Sequence, residues 1–327
     1  TWSDDEGDTW DFNPAGCTAT VNDHQTVFAG APVTSMTVGY PNVIYLCNNS
    51  VAHNSCIKSI DGARTFAPTG TPAQLGVVPG ETGVMGTPFC GGLHGHGITG
   101  PDGSIYIGKG ACGKPHVLIS RDEGLTWDAI VVADTVTTTH DVDLAMDSAG
   151  TLYGVWTGED ERVYMSQSAD QGATWSPPML VSAPELGSTF MPVIAAGDPG
   201  HVAIGYNGTA DGEGSPADVD EGTDWYPFLT VSMTADTDAP VLATTRGGTR
   251  EQPVHVGPCI DRCGAFVDFI DIVIGPDGMP YMASASCLDK CEDASEVTNG
   301  SLEGGVLVTL TSGPVLKTMD ASMEHDH

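Results

Sequence analysis

Residues Ile98–Trp127, ITGPDGSIYIGKGACGKPHVLISRDEGLTW, decide the fold of this chain. An apolar strand enters a Pro-Asp-Gly turn and returns as an alternating strand, the pattern of a β-hairpin. A second apolar run, Val117–Ile119, leads into the octapeptide Ser120–Trp127 (SRDEGLTW). Three further stretches share its Ser-x-Asp-x-Gly-x-Thr-aromatic pattern: Ser3–Trp10 (SDDEGDTW), Ser59–Phe66 (SIDGARTF) and Ser168–Trp175 (SADQGATW). In the second of these Gly62 sits one place early and Ala63 fills the glycine slot. Ser and Asp side chains in such a turn can bond nearby backbone N–H groups, glycine takes the positive φ, and the aromatic packs beneath.

The hairpin recurs as well, at Leu144–Val155, Ile194–Tyr206 and Ile272–Ala283, with a weaker copy at Met36–Cys47. From hairpin turn to following octapeptide the distance is 17 residues (Asn42 to Ser59), 17 (Gly103 to Ser120) and 18 (Gly150 to Ser168). That constancy predicts units of two hairpins, with the octapeptide joining strands three and four, and four strands per unit is a propeller blade. The expectation is an all-β, six-bladed propeller in one domain over residues 1–318, followed by a tail at 319–327. Its blades fall near 33–75, 93–133, 140–182, 190–245 and 268–318, preceded by an incomplete first blade at 1–16 whose start is missing. Ser232–Asp238 and Thr311–Pro314 stand where the last two blades would carry the octapeptide.

The octapeptide is identified as an Asp-box, or BNR repeat, and the chain resembles the sialidase-like β-propellers from about Ser3 to Thr318. The segments GLHGHGITGPDGSIY and FVDFIDIVIGPDG also look like those of uncharacterised secreted bacterial proteins of this fold. The resemblance implies the architecture far more than a chemistry, because such turns lie away from the active face and occur in non-enzymes. Sialidases use three arginines to clamp a carboxylate, a Tyr–Glu pair and an Asp, with an Arg-Ile-Pro motif at the first arginine. This sequence has no Arg-Ile-Pro and only six arginines, of which Arg64 and Arg121 lie in octapeptides. Arg246, Arg250, Glu251 and Tyr226 are the candidates nearest the expected functional face.

Eleven Lys and Arg stand against 43 Asp and Glu, a formal charge of −32. Such a surface repels phosphate backbones, which excludes nucleic acid as a partner. No apolar run reaches the length of about 18 residues that marks a membrane span. Nine cysteines point to an oxidising compartment, hence a secreted or cell-surface protein. The chain opens directly in a turn, as a processed or truncated product would. Asn48, Asn207 and Asn299 each begin an N-glycosylation sequon.

All nine cysteines are expected on one face, in loops between strands two and three or between blades. Cys47–Cys56 and Cys90–Cys112 are the natural pairs; Cys259, Cys263, Cys287 and Cys291 can close locally or cross-link, and Cys17 is left over. Elaborated loops on a rigid scaffold are where binding sits. On the same face, aligning the inner strands on their turns sets His96, Asp143 and Asp271 seven residues upstream, and His94 and Asp141 nine upstream. Positions two apart share a strand face, so these five are expected to converge as a metal site, with Asp23 and His24 from the loop entering the second blade as further ligand-binding residues. Imidazoles with carboxylates suit a transition metal and carboxylates alone suit calcium; the loop Asp218–Asp224 spaces its oxygens like a calcium loop without the full pattern. The resulting expectation is a propeller that recognises a glycan or an extracellular protein through its cysteine-rich face, with a divalent metal as cofactor. The alternatives are a glycan-acting hydrolase or lyase using the His and Asp residues, and a structural subunit of a larger extracellular assembly.

Overall fold

The computed structural model describes residues 2–12, 23–34, 40–49, 53–74, 93–138, 141–248, 253–258, 270–286 and 304–318. Two compact units divide the chain, Thr1–Leu144 and Ala145–His327. Among the described residues the secondary structure is β-strand and turn without helix, and no helix is long and apolar enough to cross a membrane.

The strands form five antiparallel sheets in which sequence neighbours pair. The first runs β1 (Asp23–Gly30), β2 (Val43–Asn49), β3 (His53–Ser59) and β4 (Ala67–Pro68), with β5 (Ala73–Gln74) also on β3. The second is β6 (His94–Thr99), β7 (Ile105–Ala111), β8 (Lys114–Ser120) and β9 (Asp128–Val131); the third is β10 (Asp143–Met146), β11 (Leu152–Thr157), β12 (Val163–Ser168) and β13 (Met179–Leu180). The fourth comprises β14 (Ser188–Ala196), β15 (Val202–Thr209), β16 (Asp224–Ser232) and β17 (Leu242–Arg246), with β18 (His255–Val256) on β16. The fifth has three described strands, β19 (Ile270–Ile274), β20 (Pro280–Ser286) and β21 (Gly304–Thr309). This meander order is that of propeller blades.

Among the described residues five sheets stand where six blades are expected. In that set the Ser3–Trp10 turn closes an isolated bridge between Trp2 and Asp11 and joins none of these sheets. It docks instead on the Ser59–Phe66 turn, where the Arg64 guanidinium lies 5.8 Å over the Trp2 ring and 5.1 Å over the Tyr40 ring and also reaches Asp4. It serves as an accessory to that turn. The first sheet begins at Asp23 rather than near residue 33. DHQTVFAG supplies its inner strand, with Thr26 turned inward and Val27 outward.

The octapeptides join strands three and four in the first three sheets, between β3 and β4, β8 and β9, and β12 and β13. Each carries the same Ser and Asp bonds, joined by an indole N–H bond where the aromatic is Trp. In the last, Ser168 Oγ accepts from Gly172 N–H (2.8 Å), Asp170 Oδ1 accepts from Thr174 N–H (2.8 Å), Asp170 Oδ2 accepts from Thr174 Oγ1 (2.6 Å), and Trp175 Nε1 donates to the Gly172 carbonyl (3.2 Å). These bonds hold the carboxylates of Asp5, Asp61 and Asp170 down at about 2, the Thr hydroxyl being the largest influence. Two consecutive residues are left-handed in every copy: Glu6 and Gly7, Gly62 and Ala63, Glu123 and Gly124, Gln171 and Gly172. The displaced glycine of the second copy therefore occupies the other left-handed position, and Ala63 takes φ 67°.

Cores lie between successive sheets within each unit. In the first unit Cys47 and Cys56 pack with Ile107 and Leu118, and Val43 and Tyr45 with Ile105. In the second, Tyr153, Val155 and Met165 meet Ile204, Tyr206 and Phe228, while Val193, Ala203 and Leu229 meet Ile272, Met282 and Val308. A buried carboxylate helps join two of these sheets. Asp147, 4% exposed, accepts from Ala149 N–H, Thr151 N–H, the Tyr153 hydroxyl and Gly200 N–H, the last on the turn of the fourth sheet.

Cys47 and Cys56 are disulfide-bonded, directly opposite each other inside the β2–β3 ladder rather than in a loop. Cys112 is also disulfide-bonded; its expected partner Cys90, with Cys17, Cys259, Cys263, Cys287 and Cys291, lies outside the described residues. Two sequons are closed to modification as folded: Asn48 is buried on β2, and Asn207 is fully buried on β15.

Candidate functional site

The inner strands β1, β6 and β14 each break register at the same end, between Asp23 and Thr26, His94 and Gly97, and Phe190 and Val193. A bulge inserts an unpaired residue, bends the strand and re-aims its side chains. His24 and Met191 sit in these bulges with φ 47° and 55°, left-handed values unusual away from glycine. In the fourth sheet the bulge holds Met191 and Pro192, which have no acid–base chemistry. In the first and second sheets it holds His24 and His96.

The bulge overturns the expected alignment of the histidines. His94 and His96 are two apart in sequence but do not share a face, because the register shift between His94 and Gly97 breaks the alternation. The His94 side chain is turned inward and is 1% exposed, whereas the His96 side chain is 53% exposed. Burial, with smaller contributions from Lys109, His24 and His96, pushes the His94 imidazole down to about 4. Its Nδ1 bonds the Gly95 carbonyl (2.8 Å), and its Nε2 is buried without a hydrogen-bond partner.

His96 turns to Asp143, with Nδ1 3.3 Å from Oδ1. The glycines around it make this approach possible. A Cβ on Gly95 or Gly108 would run into the Val142 carbonyl oxygen, and one on Gly97 would run into the Phe28 ring. The 141–143 segment can therefore press against β6 and β7, bringing Asp141 and Asp143 with it. His24 stands beside them: its Nδ1 donates to the His94 carbonyl (3.2 Å) and lies 4.0 Å from Asp141 Oδ2. His24, His94, His96, Asp141 and Asp143 are thus gathered in the first unit, as two His–Asp pairs and one interior histidine.

The remaining expected residues divide. Asp23 opens β1 rather than a loop, and its side chain lies outside the described set. Asp271 belongs to the second unit, where it is exposed on β19 and its carboxylate accepts from Ile272 N–H (2.7 Å). Arg246 and Tyr226 do meet, the guanidinium 4.4 Å over the ring, but Tyr226 is buried and Arg246 is on the outermost strand. Arg250 and Glu251 lie outside the described residues.

Among the described residues no group of three or more His, Cys, Asp or Glu side chains is arranged to hold a metal ion. The donor set expected for a divalent metal is not assembled among the described residues. In the 218–224 loop, Val219 packs against Phe190 and Trp225, and the carboxylates of Asp218, Asp220 and Glu221 are exposed.

Sequence reasoning passed over Lys109 and His116. Cross-strand register places His94, Lys109 and His116 in one row over β6, β7 and β8, all buried, and burial lowers the Lys109 ammonium to about 8. A single lysine inside the otherwise apolar strand IYIGKGA was the available signal.

No family model matches the chain, and no curated protein matches it. Similar solved structures include a Dyadobacter fermentans protein of unknown function (13% identity, TM-score 0.46, 76% of this chain and 70% of that one). Also similar are the K499G mutant of the Streptococcus pneumoniae NanB sialidase (13%, 0.46, 76% and 33%) and the intramolecular trans-sialidase of Ruminococcus gnavus (12%, 0.47, 84% and 52%). The chain thus spans a third of the NanB chain and about half of the Ruminococcus one. At these scores the likenesses carry no argument about activity, and the fold rests on the sheet order itself.

Proposed function

We propose that this chain is an extracellular glycan-recognising propeller whose site surrounds His96. The observation that carries the reading is the His96–Asp143 pair. A buried carboxylate lies 3.3 Å from Nδ1 of a half-exposed imidazole, a pairing that suits hydrogen bonding or proton transfer to a ligand. Oriented imidazoles and carboxylates on a rigid sheet suit the hydroxyls of a sugar. The Asp-box resemblance supports the propeller scaffold alone, and the Cys47–Cys56 disulfide supports the oxidising compartment.

The same pair favours a second reading, glycan cleavage with His96 as general base. A carboxylate-clamping sialidase is less well supported, because the four described arginines are engaged elsewhere: Arg64 with Tyr40 and Asp4, Arg121 with Asp128, Arg162 with the Pro184 carbonyl and Arg246 with Tyr226. The test is a glycan array followed by calorimetry with wild-type protein and His96→Ala. Binding to a defined glycan that falls at least tenfold in His96→Ala supports the site, and product release from that glycan selects cleavage. Wild-type binding left unchanged in His96→Ala would remove the proposal.

A further inference from the structure

We infer that His24 and Thr26, on the bulge of β1, are positioning residues for His96 on the bulge of β6; the inference rests on His96 being the functional group proposed above. The geometry is reciprocal. The β6 bulge interrupts the ladder with β7 between His94 and Gly97, the residues that bracket Gly95 and His96. At one end of this break Gly97 N–H donates to Thr26 Oγ1 (2.9 Å), and Thr26 is 5% exposed. At the other end the His94 carbonyl accepts from His24 Nδ1 (3.2 Å). Two side chains from one bulged strand therefore hold the backbone on both sides of His96 in the next.

The backbone of β1 is shaped for this. Its own register break places His24 at φ 47°, a conformation unfavourable for a non-glycine residue that persists where surrounding contacts demand it. The fourth sheet provides an internal contrast: Met191 adopts the same left-handed backbone but has no ring nitrogen to offer a neighbouring strand. The bulge belongs to the fold, and its use as a clamp comes from the residue types at 24 and 26. Direct sugar contact through His24 is a poorer fit, since its Nε2 is buried while Nδ1 faces the His94 carbonyl.

The experiment follows His96 itself by NMR, through the imidazole Cε1–H titration of ¹³C-labelled protein, with His96→Gln identifying the resonance. In wild type Nδ1 of His96 lies 3.3 Å from Asp143 Oδ1. Thr26→Val keeps the side-chain shape and removes the acceptor, so the His96 midpoint should fall as the pair with Asp143 loosens. Thr26→Ser, which restores the hydroxyl, should return it. If Thr26→Val does not fold, His24→Ala on the more exposed end of the clamp gives the same readout. A His96 titration unchanged in both variants overturns the inference, as does a shift that Thr26→Ser fails to rescue. The readout needs no glycan: a normal NMR result with glycan binding indifferent to His96→Ala would sink the proposed function and leave the clamp standing.

Discussion

Acidification should loosen the first unit before the second, and the cause is one imidazole. His94 is 1% exposed, and burial lowers it from 6.5 to about 4. Between those values the unfolded chain binds a proton that the folded chain refuses, so stability is lost as pH falls from about 6.5 towards 4. The difference amounts to about 2 kcal/mol at pH 5 and on the order of 3 kcal/mol well below pH 4. His255, also lowered to about 4 by burial, exerts the same pull in the second unit. There it is opposed by Glu161, which burial and the nearby Asp160 raise to about 7, so that its carboxyl regains a proton over the same window. Asp5, Asp61 and Asp170 titrate near 2, and the contribution of their turns is lost only as pH falls through that value, below this range. The assay is urea unfolding at pH 7, 6 and 5, with hydrogen-exchange mass spectrometry reading β6–β8 and β14–β16 separately. Wild type should lose about 2 kcal/mol in β6–β8 between pH 7 and 5, and His94→Gln should lose much less over that interval. Equal pH slopes in wild type and His94→Gln would refute the assignment.

Four further outcomes follow from particular contacts. Asp147→Ala leaves the Tyr153 hydroxyl and Gly200 N–H buried without their acceptor and should lower stability by about 3–5 kcal/mol in chemical denaturation. Tyr153→Phe alone should cost about 1.5–2 kcal/mol, and most of that cost should vanish in the Asp147→Ala background. Glu161→Gln should raise stability at pH 8 and leave it nearly unchanged at pH 4.5, because the raised carboxyl disfavours the folded state only when ionised. Arg64→Ala should free residues 2–12, seen as faster proteolysis and exchange there, while changing global stability by under about 1 kcal/mol.

The octapeptides and hairpins were legible because each is a local object whose residues specify their own turn. Ser59, Asp61 and Thr65 bond one another without help from distant chain, so spacing alone located the joins of strands three and four. The start of the first sheet was misplaced because Met36–Cys47 imitates the hairpin motif, whereas β1 pairs with β2 across a longer connection. The candidate site was legible as composition: the pairing of His96 with Asp143 and the nearness of His24 to Asp141 both occur among residues the sequence singled out. Its geometry was not legible. A bulge is a property of two strands, and counting by twos along one strand placed His94 beside His96 when the extra residue turns it inward. Thr26 carried no signal at all, since its hydroxyl matters only to an amide 71 residues away.

The paired left-handed residues of the octapeptide have a consequence for its descent. Because both positions are left-handed in all four copies, glycine can relieve either one, and the Ser59–Phe66 turn retains its bonds with the glycine shifted. The turn is therefore degenerate in the position of its most diagnostic letter. A glycine can migrate by one place through an intermediate that carries two, with no step at which the loop must change shape. Copies of this element that have drifted in this way remain intact as objects while ceasing to match the pattern by which they would be counted.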